Sequence, residues 1–450
     1  MGTTETLARW IVATKYEDIP AAAIDQAKKS ILDYIGTAVY GTTSELGRMI
    51  MEFTQEQGGN PQARVIGTNI RTGSAAAAFA SGAMGHSEDF DDLGGVGGHP
   101  ATVLTPTVLT LGDELHLSGR DILTAWVVAY EIGTRLSTNL HPDKDWHPTA
   151  IFGTMGAAVA ASKLLGLDVE RTRMALGIAG SEAAGLRRNF GTMTKPFHPG
   201  QAARSGVVAA KLAAKGFTAD PDIIEGRQGY ADNFGGPKCN IPAMTLFLGK
   251  AYFLATEGTR IKPWPCCGGN HQTLTGLLAL CKEKSIKAAE VESVEHIGPH
   301  YPCTGALLRA EVHEGLEGKF CPAYNIAAAI IDGKVDYETF SDKRAAKGDL
   351  QAFMERVTLS RNNDVILRHA HIADGNPEAR LKIKMRDGRL QDVVLGPAMH
   401  LTGDAVLDKF RANVAEVLGS KRSARPIELV QGLEAMKDVA ELMDAVTTGS

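Results

Sequence analysis

A chain of 450 residues is longer than one ordinary hydrophobic core organises, so two domains are the expectation. With 44% hydrophobic and 22% charged residues it has the composition of a soluble globular protein, and its net charge of −5 argues against nucleic acid or an anionic membrane as the main partner. An anionic substrate must therefore be met by cations gathered at one place.

The opening residues, MGTTETLARW, lack the basic and apolar regions of a signal peptide, and no apolar stretch runs far enough without glycine or charge to span a bilayer. The six cysteines, Cys239, Cys266, Cys267, Cys281, Cys303 and Cys321, form no CxxC pair, which removes zinc-knuckle and thioredoxin-type readings. A cytoplasmic protein with reduced thiols is expected.

In chain order, PAAAIDQAKKSILDYIGTAV places Ile24, Ala27, Ile31, Ile35 and Val39 close to a 3.6-residue period, which predicts an amphipathic helix. SGRDILTAWVVAYEIGTRLS opens on a serine cap and is apolar on most sides, as a buried helix would be. PTAIFGTMGAAVAASKLLGL puts Gly and Ala where large side chains would stand, so helix backbones approach closely. No fixed repeat period marks a solenoid. After KPWPCCGG the pattern changes. Leu381, Ile383 and Met385 alternate with Arg380, Lys382, Lys384 and Arg386, and Asp387-Gly388 makes a hairpin turn. From about Leu401 the helical pattern returns. The expected fold is mainly α: a large helical domain over residues 1–265, completed by 401–450, and a smaller α+β domain over 266–400.

Four of the 13 histidines precede proline: His99, His141, His147 and His198. Composition alone gives about 0.5 such pairs. Proline suits the first turn of a helix and holds the preceding residue extended, so Pro100, Pro148 and Pro199 are expected to open helices. A histidine in that position faces unpaired N–H groups and the positive end of the dipole, which favour bound anions and a neutral ring able to act as a base. The alternative is a simple turn device.

One stretch joins this pattern to carboxylates. HSEDFDDLGGVGGHP, residues 86–100, crowds four acids into five residues, then four glycines, then His-Pro. It has three readings: a solvated loop; a magnesium site for diphosphate, which would need a second acidic motif that is absent; or one functional carboxylate with neighbours bonded to helix ends and loop amides. In the last, the glycines let the loop bring Asp89 to His99. NFGTMTKPFHPGQAARSG holds Lys195 and His198 beside Arg187 and Arg188 and reads either as a connecting loop or as a cationic turn for carboxylate. In IKPWPCCGGNH, Lys262 precedes two prolines, and Cys266 or Cys267 with His271 offers a weak Cys-His nucleophile pattern.

GHSEDFDD…HPA, WHPTAIFGTMGAAVAASKLLGL, TMTKPFHPGQAARSG, KPWPCC and KFCPAYNIAAAIIDG together, in that order, resemble the MmgE/PrpD family, which includes 2-methylcitrate dehydratase, cis-aconitate decarboxylase and iminodisuccinate epimerase. The resemblance implies a helical domain made from both chain ends, a smaller α+β domain, a homodimer and no metal or organic cofactor. By position it places active-site roles on Asp89, His99, His147, Lys195, Lys262 and Tyr324, with His198, Cys267 and Arg188 as substrate-binding residues. Cys267 stands where the decarboxylase branch has histidine, and Leu93 where it has threonine. The implied chemistry moves a proton beside a carboxylate of a small di- or tricarboxylate. Dehydration is the first expectation; epimerisation of an amino-dicarboxylate and cis-aconitate-type decarboxylation are the alternatives. A non-catalytic helical scaffold is the reading from a different class. Asp89 is expected in a cleft between the domains with Asp91 and Asp92 on helix ends or loop amides, and the two lysines are expected to be exposed enough to remove without loss of fold.

Overall fold

The computed structural model describes residues 2–95, 98–298, 307, 309–361 and 379–448. Cys303 and two residues of the glycine loop, Val96 and Gly97, lie outside them. The chain is mainly α with a smaller α+β part, and no described helix is long and apolar enough to cross a membrane.

The Ala- and Gly-rich segments form the helices Ser74–Gly85, Ala101–Leu115, Gly119–Leu140, Pro148–Leu164 and Thr194–Ala214. Small side chains let their backbones nearly touch. A Cβ added to Gly82 would lie 2.9 Å from Gly200 Cα, and one added to Gly206 would lie 2.5 Å from the carbonyl carbon of Ala157. Around these contacts Leu104, Trp126, Tyr130, Phe152 and Val159 are buried in one core. The same core includes Ile31 and Ile35 of the Ala21–Gly41 helix and Phe410, Val414 and Leu418 of the Asp404–Leu418 helix. Phe410 reaches Gly36, where an added Cβ would meet its ring at 3.1 Å. Both ends of the chain thus close one helical body.

A second core runs from Trp264 to Leu395. Its sheet has Val291–Gly298 between parallel Val357–Arg361 and antiparallel Ala379–Met385, and Leu390–Leu395 on the outer side of the latter. Ala379, Leu381, Ile383 and Met385 point inward, and Gly388 makes the hairpin turn at φ +87°. The helices His271–Lys284 and Pro322–Ile331 cover the buried face. A strand pairing leads into this part, and contacts such as Tyr337 with Asn413 and Lys319 with Glu88 tie it to the helical body. Leu93–Gly94 pairs antiparallel with Thr259–Arg260, and Tyr337 stacks on Tyr40 with ring centroids 3.9 Å apart.

The His-Pro expectation divides. His147 is the N-cap of Pro148–Leu164, and His99 lies just ahead of Ala101–Leu115, whose N-cap is Pro100. His198 is instead inside Thr194–Ala214, with Pro199 following it in the same helix. The helix starts earlier than the proline suggests, and so near its start the proline forfeits only the bond to the Lys195 carbonyl. His141 ends the Gly119–Leu140 helix at φ +46°.

The close helix contact gives a direct test. Gly206→Ala must push its helix away from Ala157, at a cost of about 1–3 kcal/mol. A lowered thermal midpoint is expected, whereas Gly396→Ala, with nothing within 4 Å of the new methyl, should melt as the parent does.

Candidate active site

The acidic run is buried. The Ser74–Gly85 helix ends at His86, and the chain turns back beneath it so that Asp89, Asp91 and Asp92 are at most 2% exposed. Unpaired buried carboxylates cost several kcal/mol each, so this turn folds only where cations meet it. The cations come from distant segments. Lys195, in the first turn of Thr194–Ala214, donates to Asp89 Oδ1 at 2.9 Å. Lys262, brought alongside by the strand pairing before it, donates to the same oxygen at 2.9 Å and to the Asp89 carbonyl at 2.6 Å. Burial alone would raise the Asp89 pKa, but Lys195 and Lys262 hold it well below the usual carboxylate range. Lys262, which burial alone would deprotonate more easily, is raised by Asp89 and Asp91.

Two further lysines hold the neighbouring carbonyls. Lys319 donates to Glu88 O at 3.0 Å, Glu88 Oε2 at 2.9 Å and Pro265 O at 3.0 Å. Lys409, paired with Asp33 at 2.7 Å, donates to Phe90 O at 2.6 Å. Between them Asp89 adopts φ +51°, a left-handed conformation that few residues other than glycine take.

Asp91 departs from expectation. It meets two histidines rather than a helix end: His86 Nδ1 at 2.6 Å and His99 Nδ1 at 3.1 Å. Burial would raise its pKa, but these rings hold it well below the normal value. Asp92 does meet a helix end, accepting from the Ala101 N–H at 3.1 Å, and burial and Asp91 push its pKa far up, so it is a neutral acid. The carbonyl of Asp92 accepts from His99 Nδ1 at 2.9 Å. The Asp92 carbonyl can only accept, so a neutral His99 carries its proton on Nδ1, with anionic Asp91 3.1 Å away, and leaves Nε2 unprotonated, 3.7 Å from Asp89 Oδ1. His86 has the same tautomer, but its Nε2 is occupied by Lys195 Nζ at 2.6 Å. His99 is the ring with a free lone pair facing Asp89.

His147 and His198 join the site as a pair, Nδ1 to Nδ1 at 3.0 Å. Burial, with Lys195 close by, lowers His147 well below the ordinary histidine value and His198 to about 4. Phe190 and Phe320 wall the site, each ring centroid 5.2 Å from Lys195 Nζ. Cys267 packs with both phenyl rings and Leu307; burial and Asp89 raise its pKa, so it is a neutral thiol. The Cys-His nucleophile reading does not fit this geometry. Nε2 of His271 lies 3.2 Å from the Cys266 carbonyl oxygen, and burial raises the Cys266 thiol as well.

Two sequence-derived residues are placed elsewhere. Tyr324 sits in the second core, where its hydroxyl donates to Thr339 O at 2.6 Å and burial raises its pKa to about 12. The packing that buries its ring against Gly318 turns the hydroxyl away from Asp89. Arg188 is exposed, whereas Arg187 is part-buried, so that burial lowers its pKa, and it lies 3.8 Å from Asp145. The lysines also differ from expectation: Lys195 is 2% and Lys262 0% exposed, so removing either leaves a buried carboxylate short of a partner and costs stability. His86, Lys319 and Lys409 were missed. His86 lies within the acidic stretch itself, and Lys319 opens KFCPAY; Lys409 has no local signal.

His86, Asp89, Asp91 and His99 offer ligand-type atoms within 4.8 Å of one another. Ammonium groups already sit against Asp89 and His86, so a divalent ion there would face two positive charges at hydrogen-bond range.

A buried carboxylate under two ammonium groups beside a neutral histidine is the constellation of an acid–base enzyme acting on an anion. The sequence agrees with the geometry: the MmgE/PrpD N-terminal domain matches residues 5–240 and the C-terminal domain 264–435, so the chain belongs to the MmgE/PrpD family of enzymes. It is 26% identical to proteins named cis-aconitate decarboxylase from Mus musculus and Homo sapiens, over 98% of this chain and 92% and 93% of theirs. A protein of that name from Aspergillus terreus is 25% identical over 98% of this chain and 95% of its own.

The buried histidines make stability depend on pH. Unfolded histidines take up protons near pH 6.5, whereas burial lowers folded His86 and His271 to about 3 and His198 and His296 to about 4. Below pH 6.5 the unfolded chain therefore binds more protons, and stability that is complete above that pH is lost as it falls. The thermal midpoint followed by circular dichroism should drop steadily from pH 6.5 to 4. A flat profile would show that these rings titrate normally in the folded protein.

Proposed function

We propose that this chain is a cofactor-independent lyase acting on a small di- or tricarboxylate, removing a proton from the carbon beside a carboxylate, with dehydration as the reaction. The observation that supports it is the placement of His99: Nδ1 is hydrogen-bonded to the Asp92 carbonyl with Asp91 3.1 Å away, and Nε2 faces the carboxylate held by Lys195 and Lys262. A C–H beside a carboxylate is weakly acidic because the charge it leaves must spread onto carboxylate oxygens. Ammonium groups in a water-poor site stabilise that charge as it develops. His99 Nε2 takes the proton, and anionic Asp91 stabilises the imidazolium that results. The leaving hydroxyl needs a proton in return. The His99 imidazolium, which carries the proton just taken, returns it, so the hydroxyl departs as water and His99 is neutral again; the His147–His198 pair, kept neutral by burial, lines the site instead.

Decarboxylation is the second reading, favoured by the names of the relatives. Against it stand Leu93 and the neutral thiol of Cys267, which replace a hydroxyl and an imidazole of the decarboxylase branch with less polar groups. Wild-type protein incubated in D₂O with 2-methylcitrate, citrate, cis-aconitate and amino-dicarboxylates, followed by NMR, separates the outcomes. Alkene formation is expected. Loss of CO₂ would transfer the assignment to decarboxylation, and deuterium exchange alone to epimerisation. Inertness towards every acid would leave the scaffold reading. Exhaustive EDTA treatment should not reduce turnover, and loss restored by Mg²⁺ would overturn the cofactor-independent assignment. His99→Gln should lower kcat/KM by about 10²–10⁴-fold, the usual contribution of a positioned base.

We propose a homodimer as the assembly. Static light scattering should give about twice 47.9 kDa, and a fully active monomer would contradict it.

A further inference from the structure

The mechanism above uses Lys195 and Lys262 and leaves two other buried lysines without a chemical task. Lys319 is 2% and Lys409 7% exposed, and neither contacts Asp89's carboxylate or His99 in the bonds described. We propose that Lys319 and Lys409 are positioning residues that clamp the turn at residues 88–90 and hold Asp89 in its left-handed conformation under Lys195 and Lys262.

The bonding pattern supports this reading. Glu88, Asp89 and Phe90 offer three successive carbonyls, and each receives a different ammonium group: Lys319 at 3.0 Å, Lys262 at 2.6 Å and Lys409 at 2.6 Å. Asp enters the left-handed region more readily than most side chains because it can bond locally, but here its carboxylate is committed to Lys195 and Lys262, so the conformation relies on the groups that hold its backbone. Two of the three lysines on these carbonyls are the ones in question; besides them the Asp89 N–H donates to the His86 carbonyl at 3.1 Å. Lys319 spends all three of its N–H groups on Glu88 and Pro265, and its own carbonyl accepts from the Cys267 N–H at 3.1 Å and from Asn270 at 3.1 Å. One residue therefore ties the Asp89 turn to the bend that follows Lys262 and to the Cys267 wall. Lys409 reaches the turn from the C-terminal Asp404–Leu418 helix, lies 3.8 Å above the Phe90 ring, and is balanced by Asp33. Ion pairs this deep contribute little net stability compared with apolar or neutral residues of the same size, so methionine in place of lysine tests position rather than folding once the partner carboxylate is neutralised with it.

The inference rests on the proposed lyase reading only for its effect on turnover, and two variants test it. Lys319→Met combined with Glu88→Gln removes one clamp together with its counter-charge. Lys409→Met combined with Asp33→Asn removes the other without leaving a buried charge unpaired. On whichever of 2-methylcitrate and cis-aconitate the wild type consumes, each variant should keep a cooperative melt and lose about 10²-fold in kcat, the effect of a reacting group displaced by about 1 Å. KM should stay close to wild type, because Lys195 and Lys262 remain to bind carboxylate. Methylammonium should restore part of the kcat of Lys319→Ala in a saturable way and leave wild type unchanged. Crystal structures of the variants should show Asp89 out of positive φ. Wild-type kcat in the folded variants, or an Asp89 that keeps positive φ and both lysine bonds, would overturn the clamp. So would failure of both variants to fold, since that would make the lysines folding rather than positioning groups. If the wild type consumes none of the acids in the panel above while Asp89 moves in the variant crystals, the lyase reading fails and the clamp stands; turnover by wild type with an unmoved turn fails the clamp alone.

Discussion

The structure depends on the capture of one backbone turn by ammonium groups. Left to itself, a segment reading Glu-Asp-Phe-Asp-Asp would stay in water, because three buried carboxylates repel one another and lose their hydration. Here it lies at the junction of two cores because Lys195, Lys262, Lys319 and Lys409 reach it from widely separated parts of the chain. Lys195 and Lys409 belong to helices of the larger core, while Lys319 precedes the Pro322–Ile331 helix of the smaller one. The turn can be held only after both cores have formed, which couples assembly of the fold to assembly of the site.

The protonation pattern follows from that charge balance. Asp89 and Asp91 are ionised because lysines and imidazole N–H groups surround them, and Asp92, which lacks such a partner, is a neutral acid on a helix N–H. Burial, with the lysine charges close by, keeps these histidines neutral, with His86 Nδ1 on Asp91 and His99 Nδ1 on the Asp92 carbonyl. A site of low dielectric with ammonium groups already in place needs little reorganisation when negative charge develops on a bound carboxylate. The same groups that permit the turn to be buried are thus the ones suited to carbanion-type chemistry.

Helix packing supplies the rigidity this arrangement needs. Gly82, Gly200 and Gly206 let the Ser74–Gly85, Pro148–Leu164 and Thr194–Ala214 helices approach until backbone meets backbone, which sets the position of Lys195 relative to His86 with little slack. Within the MmgE/PrpD family, differences in chemistry are then most economically placed on the wall. Leu93 reaches Gly268, where an added Cβ would meet its side chain at 2.5 Å, and Cys267 lies beside Phe190 and Phe320.

The sequence by itself determined what is local or compositional. Periodicity and small residues gave the helical class, the alternation around Ile383 gave the hairpin strand, and the acidic run, the His-Pro pairs and the proline-flanked lysines drew attention to Asp89, His99, His147, Lys195 and Lys262, because stiff or unusual segments stand out without knowledge of their neighbours. Tertiary structure decided the rest. Lys409 lies on an amphipathic helix and has the local appearance of a solvated side chain, and only packing against Asp33 and Phe90 reveals its burial. His86 and Asp91 acquire their partners from the reversal of the chain after the helix, Arg187 rather than Arg188 turns inward, and Tyr324 is committed to Thr339 by the packing of its ring. Charge state and tautomer depend on atoms brought together from hundreds of residues apart, and a one-dimensional pattern does not encode those distances.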